Sequence, residues 1–508
     1  MPKKHAPLKE KLVRGNSNPW LTRDIRQSMN TRDYHLKKFK QTKLDIHWEN
    51  YKKSRNTVTK KVRAAKANHV RNVFKESTNN PTDFWKHIKN CYPTKESCSP
   101  AKSFKINGSY TSDKFSISNS FCSFFIKVGS SLLKSPIVDY TWKVFNTRKY
   151  LKDINPANCS FKFQEVTIQQ ILQILKSTKS TKAAGIDTIP ARIVKDIAEE
   201  ISAPLTFLIN SSLSIGLFPT AEKTAKVTPL YKSGDRSNID NYRPISVLNI
   251  ISKTFERVVF NQLSNYLKEN NLLTDYQYGF RKNRSTRDAV TKLTDHIKES
   301  MDKSKVTGAL YMDLRKAFDT VNHSCLLHKL PYYGIIDKEV DWIASYLFER
   351  SQSVFLEGVI SNKEFITHGV PQGSILGPLL FVVLINDLPK QLKFCNVLMY
   401  ADDTVLYYSH KHPKEIESCI NFDSNAIHDW MKENCMVLNP KKGKTEFVMY
   451  ASRVRKTPVQ ITIDNNVINQ PDIYTYLGVK LDNHLNMNDH FQNMSNQFTN
   501  QIVKKNPT

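Results

Sequence analysis

The run Tyr400-Ala401-Asp402-Asp403-Thr404 constrains the fold most, because it places two adjacent carboxylates inside an apolar and β-branched stretch. Residues 397–400 and 404–408 are rich in Val, Leu and Tyr, which is typical of strands. The pattern therefore predicts a β-hairpin with acids at its tip. Two negative charges in apolar surroundings are costly to desolvate, and a divalent cation is the usual compensation. The alternative is an acidic turn in solvent, since Asp is common in turns.

A third acid, Asp313, ends the strand-like segment Thr307–Asp313, 89 residues before Asp402. An acid at a strand end beside an acidic hairpin brings distant carboxylates to one edge of a sheet. Asp313, Asp402 and Asp403 would then supply oxygen ligands to two Mg²⁺ ions. Two such ions can clamp a phosphoryl group during nucleotide joining.

The segment that follows, Arg315–Leu330, is predicted to be a helix, with Ala317 and Phe318 among its apolar positions. This leaves a second interpretation of Asp313, because an acid at a strand-to-helix junction often caps the helix. Asp319 lies further along the predicted helix and is expected to point away from the strand end.

A second chemically suggestive segment, Gly369–Pro378, lies between these acids and precedes the apolar predicted helix Leu379–Leu388. Its glycines permit close approach of the backbone to a ligand. The N-terminus of the following helix offers free N–H groups to anions or bases. The alternative is an ordinary loop before a core helix.

Charge indicates a polyanionic partner, most plausibly nucleic acid. The 508-residue chain has 75 Lys and Arg against 47 Asp and Glu, a net charge of +28, and residues 1–110 hold 26 against 8. Its eight cysteines form no CxxC pair and no zinc-binding pattern with His. We find no secretory signal and no apolar run long enough for a membrane span. We expect an intracellular protein, nuclear or cytoplasmic, with neither zinc nor a membrane partner.

The basic N-terminal extension is predicted to be helical from Tyr34 to Phe74, since apolar residues recur there at spacings of three and four. The opposite face carries many Lys and Arg. It either offers charge to phosphates or is a solvated face of an ordinary helix.

Five motifs follow one another along the chain: Asn241–Ser246, Gln277–Arg281, Asp313–Asp319, Gly369–Gly373 and Tyr400–Asp403. Together and in this order they resemble those of reverse transcriptases from non-LTR (LINE-type) retrotransposons, especially the jockey-like and CR1-like groups. The resemblance is strong over residues 225–483. It is weaker over 18–224, which are similar to the basic linker before the polymerase of such elements. Telomerase-like and group II intron-like enzymes fit less well.

The resemblance implies an α+β fold with the fingers and palm of a right-hand polymerase and an antiparallel palm sheet. Residues 1–160 would form the basic helical extension, 161–305 a fingers-like region, 306–482 the palm and 483–508 the start of a thumb. No nuclease pattern precedes the polymerase motifs, and about 30 residues follow the primer-gripping motif at Tyr476. We therefore expect a truncated element.

The resemblance also implies roles for individual residues. Asp313, Asp402 and Asp403 fall on the catalytic acids and metal ligands. Phe318 falls where a ring would clash with a ribonucleotide 2′-hydroxyl, although it is also consistent with a core position. Gln372 and Gly373 fall on the loop along the template base and incoming nucleotide.

Basic residues are assigned in the same way. Arg243 and Arg281, with Arg284 as a further candidate, fall in motifs near the template and the triphosphate, whose charge needs cations. Lys444 best matches a lysine that protonates the leaving pyrophosphate. Gly443 lengthens the usual spacing of that motif.

The implied activity is RNA-directed DNA polymerisation with two Mg²⁺ ions, or Mn²⁺ in their place. The partners would be an RNA template, a DNA primer or target DNA, and dNTPs. The alternative is a catalytically silent, nucleic-acid-binding remnant of such an element.

Overall fold

The structure is a computed structural model that describes residues 20–76, 103–106, 108–132, 154, 158–439, 443–452 and 458–503. The chain divides into two compact units, Met1–Ser99 with Ile502–Thr508, and Pro100–Gln501. Residues 104–132 therefore fall in the second unit, although the sequence assigned them to the basic extension. Other parts of that extension, 1–19, 77–102 and 133–153, lie outside the described residues.

The described part of the first unit contains two helices, α1 (Arg23–Thr42) and α2 (Asp45–Glu76). The Thr22 side chain accepts a hydrogen bond from the backbone N–H of Ile25 and so caps α1. The helix ends where Lys43 adopts a left-handed conformation with φ 58°. The prediction of one helical pattern across Tyr34–Phe74 was wrong on this point, because the break falls inside the predicted segment.

In the second unit the elements alternate between helices and short strands. The helices are α3 (Lys114–Leu132), α4 (Ile168–Ser177), α5 (Ala191–Asp196), α6 (Ala198–Ile215), α7 (Ile250–Glu269), α8 (Thr286–Asp302), α9 (His323–Lys329), α10 (Lys338–Leu347), α11 (Gly377–Ile385), α12 (Pro413–Glu433) and α13 (Asn488–Val503). Short 3₁₀ segments are Thr220–Glu222, Ile239–Asn241, Leu330–Tyr333 and Leu388–Gln391. The strands are β1 (Phe104–Ile106), β2 (Ser109–Thr111), β3 (Thr224–Tyr231), β4 (Tyr242–Val247), β5 (Val306–Asp313), β6 (Ser351–Leu356), β7 (Val359–Ile360), β8 (Glu364–Phe365), β9 (Asn396–Tyr400), β10 (Asp403–His410), β11 (Glu446–Tyr450), β12 (Thr462–Ile463), β13 (Asn466–Val467), β14 (Ile473–Tyr476) and β15 (Val479–Asp482). This mixture of helices and sheets confirms the predicted α+β class.

A four-stranded antiparallel sheet in the order β11-β5-β10-β9 lies at the centre of the second unit. Successive side chains of a strand point to opposite faces. Leu310 and Met312 of β5 therefore enter one hydrophobic cluster, and Ala309 and Tyr311 enter another. Apolar packing on both faces explains why β5 is buried along its length until Asp313, which is only partly buried. The predicted β9–β10 hairpin is confirmed.

A second sheet has the order β4-β3-β6-β7, with β8 also pairing with β6. Strands β3 and β4 pair antiparallel, whereas β3 and β6 pair parallel. Helix α3 packs against this sheet through Phe121 and Phe125, which join Val227 and Val354 in a third hydrophobic cluster.

Turns replace the first half of the predicted helix Arg315–Leu330, and only α9 is α-helical in this segment. The Phe318 carbonyl accepts a hydrogen bond from the N–H of Val370 at 2.9 Å instead of serving a helix. Lys316 has φ 51°, which lies outside the right-handed helical region. The Asn322 side chain then caps α9. The long prediction was wrong because these backbone groups bind a loop that is distant in sequence.

Candidate active site

The three acidic residues singled out from the sequence lie at one edge of the central sheet. Strand β5 ends at Asp313 and β10 begins at Asp403, and the antiparallel register pairs these two residues directly. Asp402 precedes Asp403 in the two-residue turn between β9 and β10. Because the sheet is apolar on both faces, a shift in register would misplace many buried side chains. The packing of the strands therefore fixes the pairing of the acids.

A buried glutamine supports the turn that carries Asp402. The Gln277 side-chain oxygen accepts hydrogen bonds from the backbone N–H groups of Ala401, at 3.0 Å, and Gly279, at 2.7 Å. Ala401 has φ 56°, a conformation that few residues with a side chain adopt. A Cβ atom at Gly279 would lie 2.3 Å from the nitrogen of Ala401, so the close approach requires glycine. The sequence indicated a role for Arg281 of this motif but none for Gln277 or Gly279.

The charged forms of Asp402 and Asp403 are disfavoured in the folded protein. Burial, followed by the charges of Asp402 and Asp313, raises the pKa of Asp403 to about 6, and Lys444 and Lys232 oppose the shift. Burial also raises the pKa of Asp402. A backbone hydrogen bond, Arg243 and Lys444 oppose that effect, whereas Asp313 adds to it.

Asp313 is held by polar partners from the segment before β11. The side-chain nitrogen of Asn439 donates to one carboxylate oxygen at 2.7 Å, and the Lys444 ammonium lies 3.2 Å from the other. The carbonyl of Lys444 accepts a hydrogen bond from the hydroxyl of Tyr474 at 3.2 Å. Lys444 thus lies beside the acids. The sequence did not indicate that Asn439 binds Asp313.

Lys232 is a further residue of this site, and no motif in the sequence indicated it. Its pKa is lowered by burial and then by the charges of Arg243 and Lys444, whereas Asp313 and Asp402 raise it. Mutual effects of this kind require charges that lie close together. Lys232, Arg243 and Lys444 therefore lie near the acids and partly offset their negative charge.

The loop between β8 and α11 contacts β4 and the turns after β5. The Gln372 carbonyl accepts a hydrogen bond from the N–H of Ser246 at 2.7 Å, and its side-chain nitrogen donates to Asp319 at 2.8 Å. Gly373 has φ 124°, and a Cβ atom there would lie 2.4 Å from the carbonyl oxygen of Ser246. Burial raises the pKa of Asp319 to about 6 despite the Gln372 hydrogen bond. Asp319 therefore anchors Gln372, which the sequence did not indicate.

Comparison with known proteins agrees with this geometry. Residues 231–481 match the family described as Reverse transcriptase (RNA-dependent DNA polymerase), and this segment contains β10, β5 and all three acids. The chain carries a LINE-type reverse transcriptase domain. Residues 21–81 match a different family, described as Female sterile protein K10 C-terminal domain.

Curated relatives include polymerases of insect mobile elements. The chain is 30% identical over 352 residues to a probable RNA-directed DNA polymerase from transposon BS of Drosophila melanogaster, covering 66% of this chain and 38% of the relative. It is 28% identical over 360 residues to the RNA-directed DNA polymerase from mobile element jockey of Drosophila funebris, covering 69% and 39%. For the X-element protein of D. melanogaster, the identity is 26% over 346 residues, covering 66% and 37%. The chain thus spans about two fifths of the length of these relatives.

Two arginines of the reverse transcriptase domain bind within their own segment. One guanidinium nitrogen of Arg281 donates to the carbonyl of Thr274, and Arg284 binds both the carbonyl and the carboxylate of Asp275. The Arg284 guanidinium also lies 5.0 Å from the ring centre of Tyr278. Arg243, by contrast, is exposed and acts electrostatically on Asp402 and Asp319.

Phe318 of the reverse transcriptase domain is half-buried beside the acids' strand. Its ring centre lies 4.8 Å from that of Phe381 in α11 and 5.9 Å, edge to face, from that of Phe280. The ring therefore packs on the core with one part while another part stays accessible. This contact is compatible with both interpretations of Phe318 that the sequence left open.

Reverse transcriptase domains generally use divalent metal ions. Among the residues that the structure describes, no three or more His, Cys, Asp and Glu side chains are gathered closely enough to hold a metal ion. The donor chemistry nevertheless fits Mg²⁺, which prefers carboxylate oxygens. A nearby divalent cation would also favour the charged forms of Asp402 and Asp403, which burial disfavours.

No helix in the described parts of the chain is both long and apolar enough to cross a membrane.

Proposed function

We propose that this chain is an RNA-directed DNA polymerase that extends a DNA primer on an RNA template. The observation that carries the proposal is the direct pairing of Asp313 with Asp403 across β5 and β10, with Asp402 in the adjoining turn. Three carboxylates at the edge of a rigid sheet suit the positioning of reacting phosphates. In this account, β5, β9, β10 and β11 form the palm and residues 161–305 contribute the fingers.

In the proposed site, Asp313 and Asp402 are the main metal ligands and Asp403 contributes charge. Two Mg²⁺ ions, or Mn²⁺ in their place, would activate the primer 3′-hydroxyl and neutralise phosphate charge. The hydroxyl oxygen would pass its proton to solvent water and bond to the α-phosphorus of a dNTP. The bond from that phosphorus to pyrophosphate breaks, and pyrophosphate leaves.

Basic residues would offset the charge of the triphosphate. Lys232 and Arg243 act electrostatically on the acids, and within the described residues neither forms an ion pair with them, so we assign both to the phosphates. We assign Arg281 and Arg284 to support of their own loop, because both bind Thr274 or Asp275 there. Lys444, 3.2 Å from Asp313, is the candidate to donate a proton to the departing pyrophosphate.

Selection of the nucleotide would rest on Phe318, Gln372 and Gly373. An accessible part of the Phe318 ring would exclude a 2′-hydroxyl and so favour dNTPs over ribonucleotides. The hydrogen bond from Gln372 to Asp319 and the contact of Gly373 with Ser246 fix the loop that would lie along the template base. Base pairing would choose the nucleotide, while protein contacts to the strands stay largely independent of sequence. We also propose a nuclear or cytoplasmic location for this reaction.

Primer extension on an RNA template tests the proposal. The wild-type chain should incorporate dNTPs only when Mg²⁺ or Mn²⁺ is present, and the double variant Asp402→Asn/Asp403→Asn should not. The exposed pair Asp295→Asn/Asp302→Asn on α8 removes the same two charges and should leave activity unchanged. Binding of primer–template, measured by fluorescence anisotropy, shows whether each protein is folded. If the wild type binds primer–template but incorporates no more than the Asp402/Asp403 variant, the chain is the silent binding remnant and the proposal fails.

A further inference from the structure

A small basic cavity of about 90 Å³ lies at the surface of the second unit, on the N-terminal half of α7. Lys253 and Arg257 line it from α7, and Lys182 lines it from the loop after α4. Thr178 and Ile375 also line it. The cavity is small and opens to solvent, a size and setting that suit one phosphate group of a longer strand.

The three cations of this cavity are not directly paired with acids among the described residues. In the described part of the chain, Lys182, Lys253 and Arg257 form no ion pair. Burial lowers the pKa of Lys253, the charge of Lys182 lowers it further, and the charge of Glu256 opposes both effects. Like charges that are partly desolvated and held together favour an anion as a ligand.

Glu256, an acid on the same helix, forms hydrogen bonds with other groups. Its side chain is fully buried, and its carboxylate accepts hydrogen bonds from the N–H groups of Ile375, at 2.5 Å, and Leu376, at 3.3 Å. The hydroxyl of Tyr346 donates to its other oxygen at 3.2 Å. Both oxygens of Glu256 therefore accept hydrogen bonds, one of them from the loop, and its charge offsets that of Lys253 without a direct ion pair.

The same contacts connect the cavity to the loop that carries Gln372 and Gly373. Ile375, two residues after Gly373, lines the cavity, and Glu256 lies on the same helix as Lys253 and Arg257. A phosphate in the cavity would therefore lie close to the Gln372 loop. In the proposed function, that loop lies along the template base.

We propose that the cavity of Lys182, Lys253 and Arg257 binds one phosphodiester group of the template strand. The assignment of the strand depends on the proposed polymerase function, whereas the anion site depends only on the cavity. Phosphate contacts of this kind position a strand without reading its sequence. The cavity would therefore hold the template in register with the loop for any sequence.

Methylphosphonate scanning of the wild-type chain tests the proposal without a mutation. Each template phosphate near the primer terminus is replaced, one at a time, by a neutral methylphosphonate, and the affinity for primer–template is measured without dNTPs. We expect one template position at which the neutral group weakens binding several-fold. In the variant Lys253→Gln/Arg257→Gln, substitution at that position should have no further effect.

The exposed pair Lys292→Gln/Lys298→Gln on α8 is the matched control, since it removes two positive charges from the same unit. The slope of log affinity against log salt should fall by about 0.7 for each single-strand phosphate contact that is lost. That fall should occur in the cavity variant, while the control retains the wild-type profile across template positions. Lys253→Arg, which keeps the charge, should also retain that profile.

Three results would overturn the proposal. The first is a loss of affinity when a phosphate of the primer strand, and not of the template, is replaced. The second is an equal loss of affinity in the cavity variant and the control variant. The third is competition by inorganic phosphate or dNTP at the cavity while no template position affects the affinity. Failure of the polymerase function is distinguishable, because the scan reports binding alone. If the chain is inactive but one template position still affects the affinity, the proposed reaction is wrong and the phosphate site stands.

Discussion

The side-chain oxygen of Gln277 lies 3.0 Å from the backbone nitrogen of Ala401, which is 124 residues further along the chain. This hydrogen bond holds the turn that carries Asp402 in a left-handed conformation. The orientation of the acidic pair therefore depends on a buried amide that is remote in sequence.

We predict that Gln277→Met reduces the rate of dNTP incorporation by roughly tenfold to 100-fold, because small displacements of reacting groups have effects of that order. The substitution leaves the N–H groups of Ala401 and Gly279 without their acceptor. Single-turnover primer extension measures the effect, and primer–template affinity should be unchanged. Gln277→Glu keeps an acceptor oxygen and should retain more activity than Gln277→Met at low pH. An unaltered rate in Gln277→Met would show that the turn needs no such support.

Gly373→Ala should impair catalysis because the new Cβ atom would lie 2.4 Å from the carbonyl of Ser246. We expect the Gln372 loop to shift and incorporation to fall at least about tenfold, mainly through a higher KM for dNTP. Gly358→Ala is the matched control, since its φ of 88° is also positive but nothing lies within 4 Å of the new atom. That control should lose only about 1–2 kcal/mol of stability and no activity. Equal effects on KM in both variants would contradict a role for the close contact.

Asp403→Asn should raise Tm at pH 8 when EDTA removes divalent cations. The folded protein raises the pKa of Asp403 to about 6, above the unfolded value of about 3.9. Protonation therefore favours the folded state, and that advantage is lost as pH rises between about 4 and 6. The gain in Tm should be largest above pH 6 and should shrink toward pH 4. Mg²⁺ should stabilise the wild type more than the variant. A variant that is less stable at pH 8 would contradict the cost assigned to this carboxylate.

Removal of one partner from the buried ion pair of Lys329 and Asp387 should strongly destabilise the folded protein. The two groups lie 2.6 Å apart with side chains 2% and 1% exposed, and the Trp430 ring nitrogen also donates to Asp387. Asp387→Ala should cost about 3–5 kcal/mol, because it leaves a buried ammonium uncompensated. Glu299→Ala, which breaks the exposed pair with Lys303, should leave the free energy of unfolding almost unchanged, because solvent screens that pair. Urea unfolding of the two variants measures both values, and a loss below 1 kcal/mol for Asp387→Ala would contradict this prediction.

The parts of the site that sequence could predict are those with a local pattern. The β9–β10 hairpin follows from apolar residues around Asp402 and Asp403, and β5 follows from the run that ends at Asp313. Their direct pairing is a long-range property of the sheet, so the pattern could indicate that the acids meet but not their register.

The missed residues act across long stretches of sequence. Gln277 reaches Ala401, and Lys232 reaches the acids from the end of β3, yet neither differs locally from an ordinary buried or loop residue. The predicted helix at 315–330 failed for the same reason. Its apolar spacing is helical, but the Phe318 carbonyl accepts a hydrogen bond from the N–H of Val370 in a distant loop.

The rate of the first dNTP incorporation on an RNA template, with saturating Mg²⁺, most directly tests whether the pairing of Asp313 with Asp403 forms the catalytic centre. Asp313→Asn and Asp403→Asn should each reduce this rate by roughly 10³-fold or more. The double variant should be no slower than the slower single variant, since residues that act as a unit are not additive. A single variant that binds primer–template and retains a rate within tenfold of wild type would contradict the account.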